Sequence, residues 1–162
     1  MGSEKIRREK VNKTPFVLSI AHAVVAFLLL AVTYLASSLL KLPIVMNAIL
    51  VLLGVLLVIA GFTIRYLAFK QLFKVNTDFH PEHVPEHCIT DGVFRYSRNP
   101  AYTGVLLMFF GALLVTINVL MVVILLFVFA RFNQLASREE RVLTEKFGDE
   151  YLSYKRKTRK WL

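Results

Sequence analysis

The chain has 162 residues, 56% of them hydrophobic, and a mean hydropathy of +0.57, which excludes an ordinary soluble domain. Its apolar residues are gathered into long runs, as a helix crossing about 30 Å of hydrocarbon requires. The formal charge of +9 arises from 20 Lys and Arg lying almost wholly between and beyond those runs. No nucleic-acid-binding motif accompanies them, so the charge points to cytoplasmic loops and anionic headgroups rather than to nucleic acid. The single cysteine, Cys88, excludes an intrachain disulfide and reads as an ordinary interfacial thiol.

Residues 1–14 form a basic arm carrying Lys5, Arg7, Arg8, Lys10 and Lys13. Residues 15–40 follow as a first spanning helix, too long for a signal-peptide core and without a small-residue cleavage site, so it is expected to be retained. His22 lies on it, either as a functional group or as a side chain reaching the interface. After Lys41-Leu42-Pro43 a second span covers 43–70, in which Gly54 and Gly61 share one helical face where another helix can approach closely.

Residues 74–99 make the one long polar connection. Within it HPEHVPEHC brings His80, Glu82, His83, Glu86, His87 and Cys88 together. Three readings are open: a metal site, a role beside the acceptor of a reaction, and a solvated interfacial loop. No recognised zinc spacing fits and so many donors in so short a stretch are cramped, so no metal site is assigned.

The apolar stretch Tyr102 to Ala130 spans 29 residues, about 43 Å as helix, more than one crossing. Of the 20 cationic residues, only Lys41 lies at the first connection; the others lie in the arm, the central polar region and the tail or, as Arg65, Lys70 and Arg131 do, in the parts of the spans next to them. A single crossing would place the tail opposite the other basic segments, against the positive-inside tendency. A tight hairpin bent at Thr116-Ile117-Asn118 is therefore expected, with spans over 100–116 and 118–135. The predicted fold is a single-domain, all-α integral membrane protein of four transmembrane helices, both termini cytoplasmic, with a helical tail over 136–162. Its compact length leans toward a prokaryotic cytoplasmic membrane. In the tail, Leu135, Val142 or Leu143, and Phe147 recur at helical spacing, Gly148 fits a helix C-cap, and Tyr151, Tyr154 and Trp161 among basic residues fit a segment at headgroup level.

Two polar constellations flank the hairpin. The first, DGVFRYSRNPAYTG over Asp91 to Gly104, has a turn signal and a proline suited to open a helix. The second, SREERVL, follows the fourth span. The hairpin gathers Arg95, Arg98, Asn99, Tyr102, Glu139, Glu140 and Arg141, either as a ligand site or as a salt-bridge network that fixes the hairpin. Glu139 and Glu140 point about 100° apart on a helix, so one of them is expected to face a ligand.

Together, DGVFRYSRNPAYTG and REERVLTEKFGDEYLSYKRKTRKW resemble the integral-membrane methyltransferases that include isoprenylcysteine carboxyl methyltransferase and the phospholipid N-methyltransferases. The resemblance covers about Asp91 to Trp161 and rests on the two motifs as an ordered pair. It implies use of S-adenosylmethionine, with S-adenosylhomocysteine as product, and methyl transfer to a lipid or lipid-like acceptor at the cytoplasmic membrane face. The implied cofactor positions are Arg98, Asn99, Pro100, Tyr102 and Gly104 in the first motif and Glu139 and Glu140 in the second. Asn99 stands where many relatives have histidine, and TRKW departs from the usual ending. For a carboxylate acceptor Arg95 is the expected orienting group; for an amine or thiol, His80, His83 or Glu82 would take the proton. The rival reading is a non-catalytic membrane protein binding metal or haem through the His80 to Cys88 loop. No feature of the sequence specifies an oligomeric state.

Overall fold

A computed structural model describes residues 20–21, 24–74 and 87–162. His22, His80, Glu82, His83 and Glu86 lie outside the described residues. The described part is helical, with no strand: α1 (Val24–Leu39), α2 (Ala48–Lys74), a short 3-10 turn (Gly92–Arg95), α3 (Pro100–Val115), α4 (Val119–Phe147) and α5 (Asp149–Lys157). α2 and α4 are long and apolar enough to cross a membrane; α1 and α3 are shorter apolar helices.

Local chemistry sets most of the boundaries. α2 begins at Ala48 rather than at Pro43, because the Asn47 side chain accepts hydrogen bonds from the backbone of Ile49 (2.9 Å) and Leu50 (3.4 Å) and so caps the helix. Asn118 does the same for α4, accepting from Met121 N at 2.9 Å. Pro100 sits in the first turn of α3, where its missing N–H leaves nothing unsatisfied. α4 stops at Gly148, whose φ of 52° suits a residue without Cβ. α5 then carries Asp149 and Glu150 in its first turn and Lys155, Arg156 and Lys157 in its last, matching the helix dipole at both ends.

The tightest packing joins α2 and α3. A Cβ on Gly104 would lie 2.5 Å from the Gly61 carbonyl oxygen, and one on Gly111 would lie 2.5 Å from that of Gly54. These two crossing points run in opposite directions along the helices, so the start of α3 lies beside the later half of α2. The glycines let backbones meet where lipid provides no hydrophobic drive for association. Around them Val105, Met108, Phe109, Ala112 and Leu113 of α3 form a core with Ala26 of α1 and Met121 of α4.

At one end of the molecule, Val45 between α1 and α2 pairs with Ile117 between α3 and α4 through two backbone hydrogen bonds of 3.0 Å. The opposite end holds the polar segments. There α5 turns inward: Tyr151 and Tyr154 are buried with Ala68 and Phe94, and the Tyr154 hydroxyl donates to the Phe94 carbonyl at 2.6 Å. Both tyrosine side chains thus face the protein rather than lipid. Leu143 and Phe147 pack on the same cluster, whereas Val142 is exposed. Outward-facing Phe27, Leu35, Ile49, Leu56, Leu126 and Phe127 are each more than half exposed, an apolar surface that water does not tolerate on this scale.

Candidate functional site

The site is built where the start of α3 meets the later half of α4 and the segment after α5. The approach to α3 is fixed first: Gln71 near the end of α2 accepts from Val93 N at 3.2 Å and donates to the Asp91 carbonyl, seating the 3-10 turn. Phe94 is buried behind it, and Arg95 and Tyr96 remain exposed. From there the chain enters Ser97 to Tyr102 with little freedom.

Arg98 and Glu140 form a buried ion pair. The guanidinium donates through Nε (3.1 Å) and Nη2 (3.0 Å) to Glu140 Oε1, with side-chain exposures of 9% and 8%. Its Nη1 donates to the carbonyls of Lys155 (3.2 Å) and Thr158. Asn99 Nδ2 adds a bond to Glu140 Oε1 at 3.4 Å, and Lys155 Nζ lies 3.3 Å from Oε2. Nearly every lone pair and proton of this pair is used, the condition under which a buried ion pair is tolerated.

One residue earlier on α4 the surroundings change. Glu139 Oε1 accepts from the Tyr102 hydroxyl at 2.5 Å, and the Tyr102 ring lies 4.9 Å from that of Phe132, tilted by 36°. Glu139 is exposed while Glu140 is buried, so the two adjacent carboxylates divide between an open aromatic corner and a closed network. Below this corner, Arg65 of α2 donates from Nη1 to the Ala101 carbonyl at 2.9 Å and stacks over Phe69, 4.5 Å from the ring centroid. Beside Glu140, an open cleft of about 330 Å³ is lined by Ser137, Arg141, Thr144 and Lys155.

The described residues singled out in the sequence fall into two groups. Arg98, Asn99 and Glu140 come together in the buried network, and Tyr102 and Glu139 meet beside it. Pro100 is buried at the helix start, and Gly104 faces α2 against Gly61, so backbone approach accounts for its lack of a side chain. His87 is exposed and Cys88 half-buried. Burial, and then the charge of Glu150, raise the Cys88 thiol pKa, so it stays protonated near neutrality rather than acting as a thiolate. Among the described residues no group of three His, Cys, Asp or Glu side chains is placed to hold a metal.

Several contributors escape a sequence reading. Phe132, between Arg131 and Asn133, belongs to no motif, and Lys155 is one cation among several. Ser97, buried, accepts from Asn99 N at 3.1 Å and sits 3.3 Å from the Thr103 hydroxyl. The tail after α5 also returns to the site, with Arg98 N donating to the Arg159 carbonyl at 2.9 Å.

Two relatives show the same relationship in sequence. Protein-S-isoprenylcysteine O-methyltransferase of Saccharomyces cerevisiae is 35% identical over 113 residues, covering 65% of this chain and 45% of the relative. Protein-S-isoprenylcysteine O-methyltransferase A of Arabidopsis thaliana is 32% identical over 109 residues, covering 62% of this chain and 53% of the relative. The chain thus spans about half the length of these curated relatives. The family model described as phospholipid methyltransferase matches residues 49–150, from the start of α2 into α5 and across both halves of the site. With more than half of its residues in that match, the chain belongs to the phospholipid methyltransferase family.

Proposed function

We propose that the protein is a membrane methyltransferase that uses S-adenosylmethionine to methylate a lipophilic acceptor, of the isoprenylcysteine carboxylate or phospholipid amine type, at the cytoplasmic face. The observation that carries this reading is the junction of the two motifs. Tyr102 of the first meets Glu139 of the second, while Arg98 and Asn99 hold its neighbour Glu140.

The residues present fit the cofactor. When bound, S-adenosylmethionine supplies an electrophilic methyl group on a positively charged sulfur. A carboxylate beside two aromatic rings favours a cation, and Glu139 with Tyr102 and Phe132 is that combination. Arg141 and Lys155, around the adjacent cleft, offer donors for the cofactor's carboxylate and hydroxyl groups. Arg98 and Asn99 fix Glu140 and with it the register of α3 against α4. Pro100 and Gly104 set the start and the depth of α3.

For a carboxylate acceptor the nucleophile is already deprotonated, and exposed Arg95 is suited to orient it. For an amine acceptor a proton has to leave, and His80, His83 and Glu82 are the candidates to take it.

The membrane placement that suits this chemistry has four spanning helices, α3 and α4 paired as a hairpin, with the Val45–Ile117 end outside and both termini in the cytoplasm. Charge distribution supports it: Lys41 lies toward the Val45–Ile117 end, whereas Arg95, Arg98 and the cations of α5 cluster at the other. With 16 residues, α3 is about 24 Å long, shorter than the hydrocarbon core, so the Arg98 to Tyr102 segment sits at or just below the headgroups. A lipid acceptor reaches such a site without leaving the bilayer.

The test is transfer of a tritiated methyl group from S-adenosylmethionine in vesicles containing the protein, offered an isoprenylated cysteine or an ethanolamine lipid. Label is expected in one acceptor, released by mild base if an ester has formed and retained if an amine was methylated. Absence of label from both would count against the reading.

A further inference from the structure

We propose that the segment Thr158 to Trp161 is a strap that positions the site, and that Lys160 is the positioning residue that fastens it. The inference rests on the cofactor reading above and assigns a role to residues to which the family resemblance carries none.

Lys160 engages both sides of the site. Its ammonium donates to Asn133 Oδ1 (2.7 Å), Ser137 Oγ (2.8 Å) and the Asn133 carbonyl (3.2 Å), three acceptors within one turn of α4. Its backbone carbonyl accepts from Ser97 Oγ (3.2 Å) and Asn99 Nδ2 (3.1 Å) on the approach to α3. The neighbouring carbonyls of Thr158 and Arg159 accept from Arg98, one from the side chain and one from the backbone. Trp161 completes the anchorage with its ring 5.8 Å from that of Phe129 on α4.

The strap matters because Asn99 and Ser97 have few other acceptors. Asn99 precedes α3 but makes no side-chain cap; its amide points across to Glu140 and to the Lys160 carbonyl. If the strap lifts, the Ser97 hydroxyl and the Asn99 amide lose that carbonyl, and Arg98 loses the Thr158 carbonyl that helps to aim it at Glu140. A buried polar group left in that state is costly, so Arg98 and Asn99 would turn away from Glu140. Fastening by Lys160 therefore holds the two halves of the site in register without Lys160 itself touching a reacting atom.

The chain contains one tryptophan, Trp161, so its fluorescence reads strap docking directly. The experiment compares wild type, Lys160→Ala and Lys160→Arg in detergent by acrylamide quenching of Trp161, circular dichroism, and calorimetric titration with S-adenosylhomocysteine. Lys160→Ala is expected to make Trp161 more quenchable and to weaken S-adenosylhomocysteine about tenfold, the loss expected of one hydrogen bond to a charged group, with helix content unchanged. Lys160→Arg, which keeps the cation, is expected to recover most of both. Unaltered quenching in Lys160→Ala would overturn the fastening role, and a released Trp161 with wild-type affinity would overturn the positioning role. Wild-type protein that fails to bind S-adenosylhomocysteine would instead overturn the cofactor reading on which the proposal rests.

Discussion

Glu140→Ala is expected to lose about 3–5 kcal/mol of stability, because it strands the Arg98 guanidinium in a buried position without its counter-ion. The carbonyls of Lys155 and Thr158 remain as acceptors, but neither carries a charge. Arg98→Met alone is expected to be similarly severe, since it leaves the Glu140 carboxylate with Lys155 and Asn99 only. The double replacement Arg98→Met with Glu140→Leu removes both charges and should recover much of the loss, as apolar substitution of a buried pair commonly does. The cycle is measured by denaturant titration of the detergent-solubilised protein followed by circular dichroism, with coupling read as the departure from additivity. If each single variant lost less than about 1 kcal/mol, the pair would behave as a surface salt bridge and the network would not be what joins α3 to α4.

Glu139→Gln has the opposite profile: little change in stability and a change in ligand charge preference. Glu139 is exposed and its one contact in this corner is the Tyr102 hydroxyl, which glutamine can still accept. S-adenosylmethionine and S-adenosylhomocysteine differ in a methyl group and a positive charge at sulfur. The Glu139 carboxylate with the Tyr102 and Phe132 rings should favour the charged ligand, and neutralising it should cut that preference by about tenfold. Competitive titration of both ligands against wild type and variant measures the ratio. An unchanged ratio would move the sulfonium away from this corner and toward the cleft beside Glu140.

These two adjacent carboxylates show what sequence reading reaches and where it stops. Helical geometry separates them by about 100°, so a division of roles is legible, but which one faces inward depends on Arg98, 42 residues away. Local rules served well wherever the cause was local. Proline opens α3, glycine closes α4, and the helix break falls at Thr116 to Asn118, where Asn118 supplies a cap. The start of α2 was less legible because the Asn47 cap, not Pro43, decides it. Gly54 and Gly61 announced a close helix contact without naming the partner. Of their facing glycines, Gly104 ends a motif whose resemblance drew attention to a cofactor instead, and Gly111 lies in the apolar run behind it.

Tertiary contacts hid the rest. Tyr151 and Tyr154 among lysines read as headgroup anchors, yet the Phe94 carbonyl and the surrounding cluster draw them inward. Burial raises the pKa of both phenols, keeping them neutral inside that cluster. The TRKW segment departs from the usual family ending and so attracted no role, although its backbone carbonyls satisfy Ser97, Arg98 and Asn99. Backbone acceptors have no sequence signature, which is why a strap built largely from carbonyls is visible only once the chain is folded.

The central claim is that the Tyr102–Glu139 corner and the network beside it hold a sulfonium cofactor. Calorimetric titration of the purified protein with S-adenosylhomocysteine tests it most directly. The account predicts saturable one-site binding by the wild type and a marked loss of affinity in Tyr102→Ala with helix content intact. No binding by the wild type at millimolar ligand, or equal binding by both proteins, would contradict it.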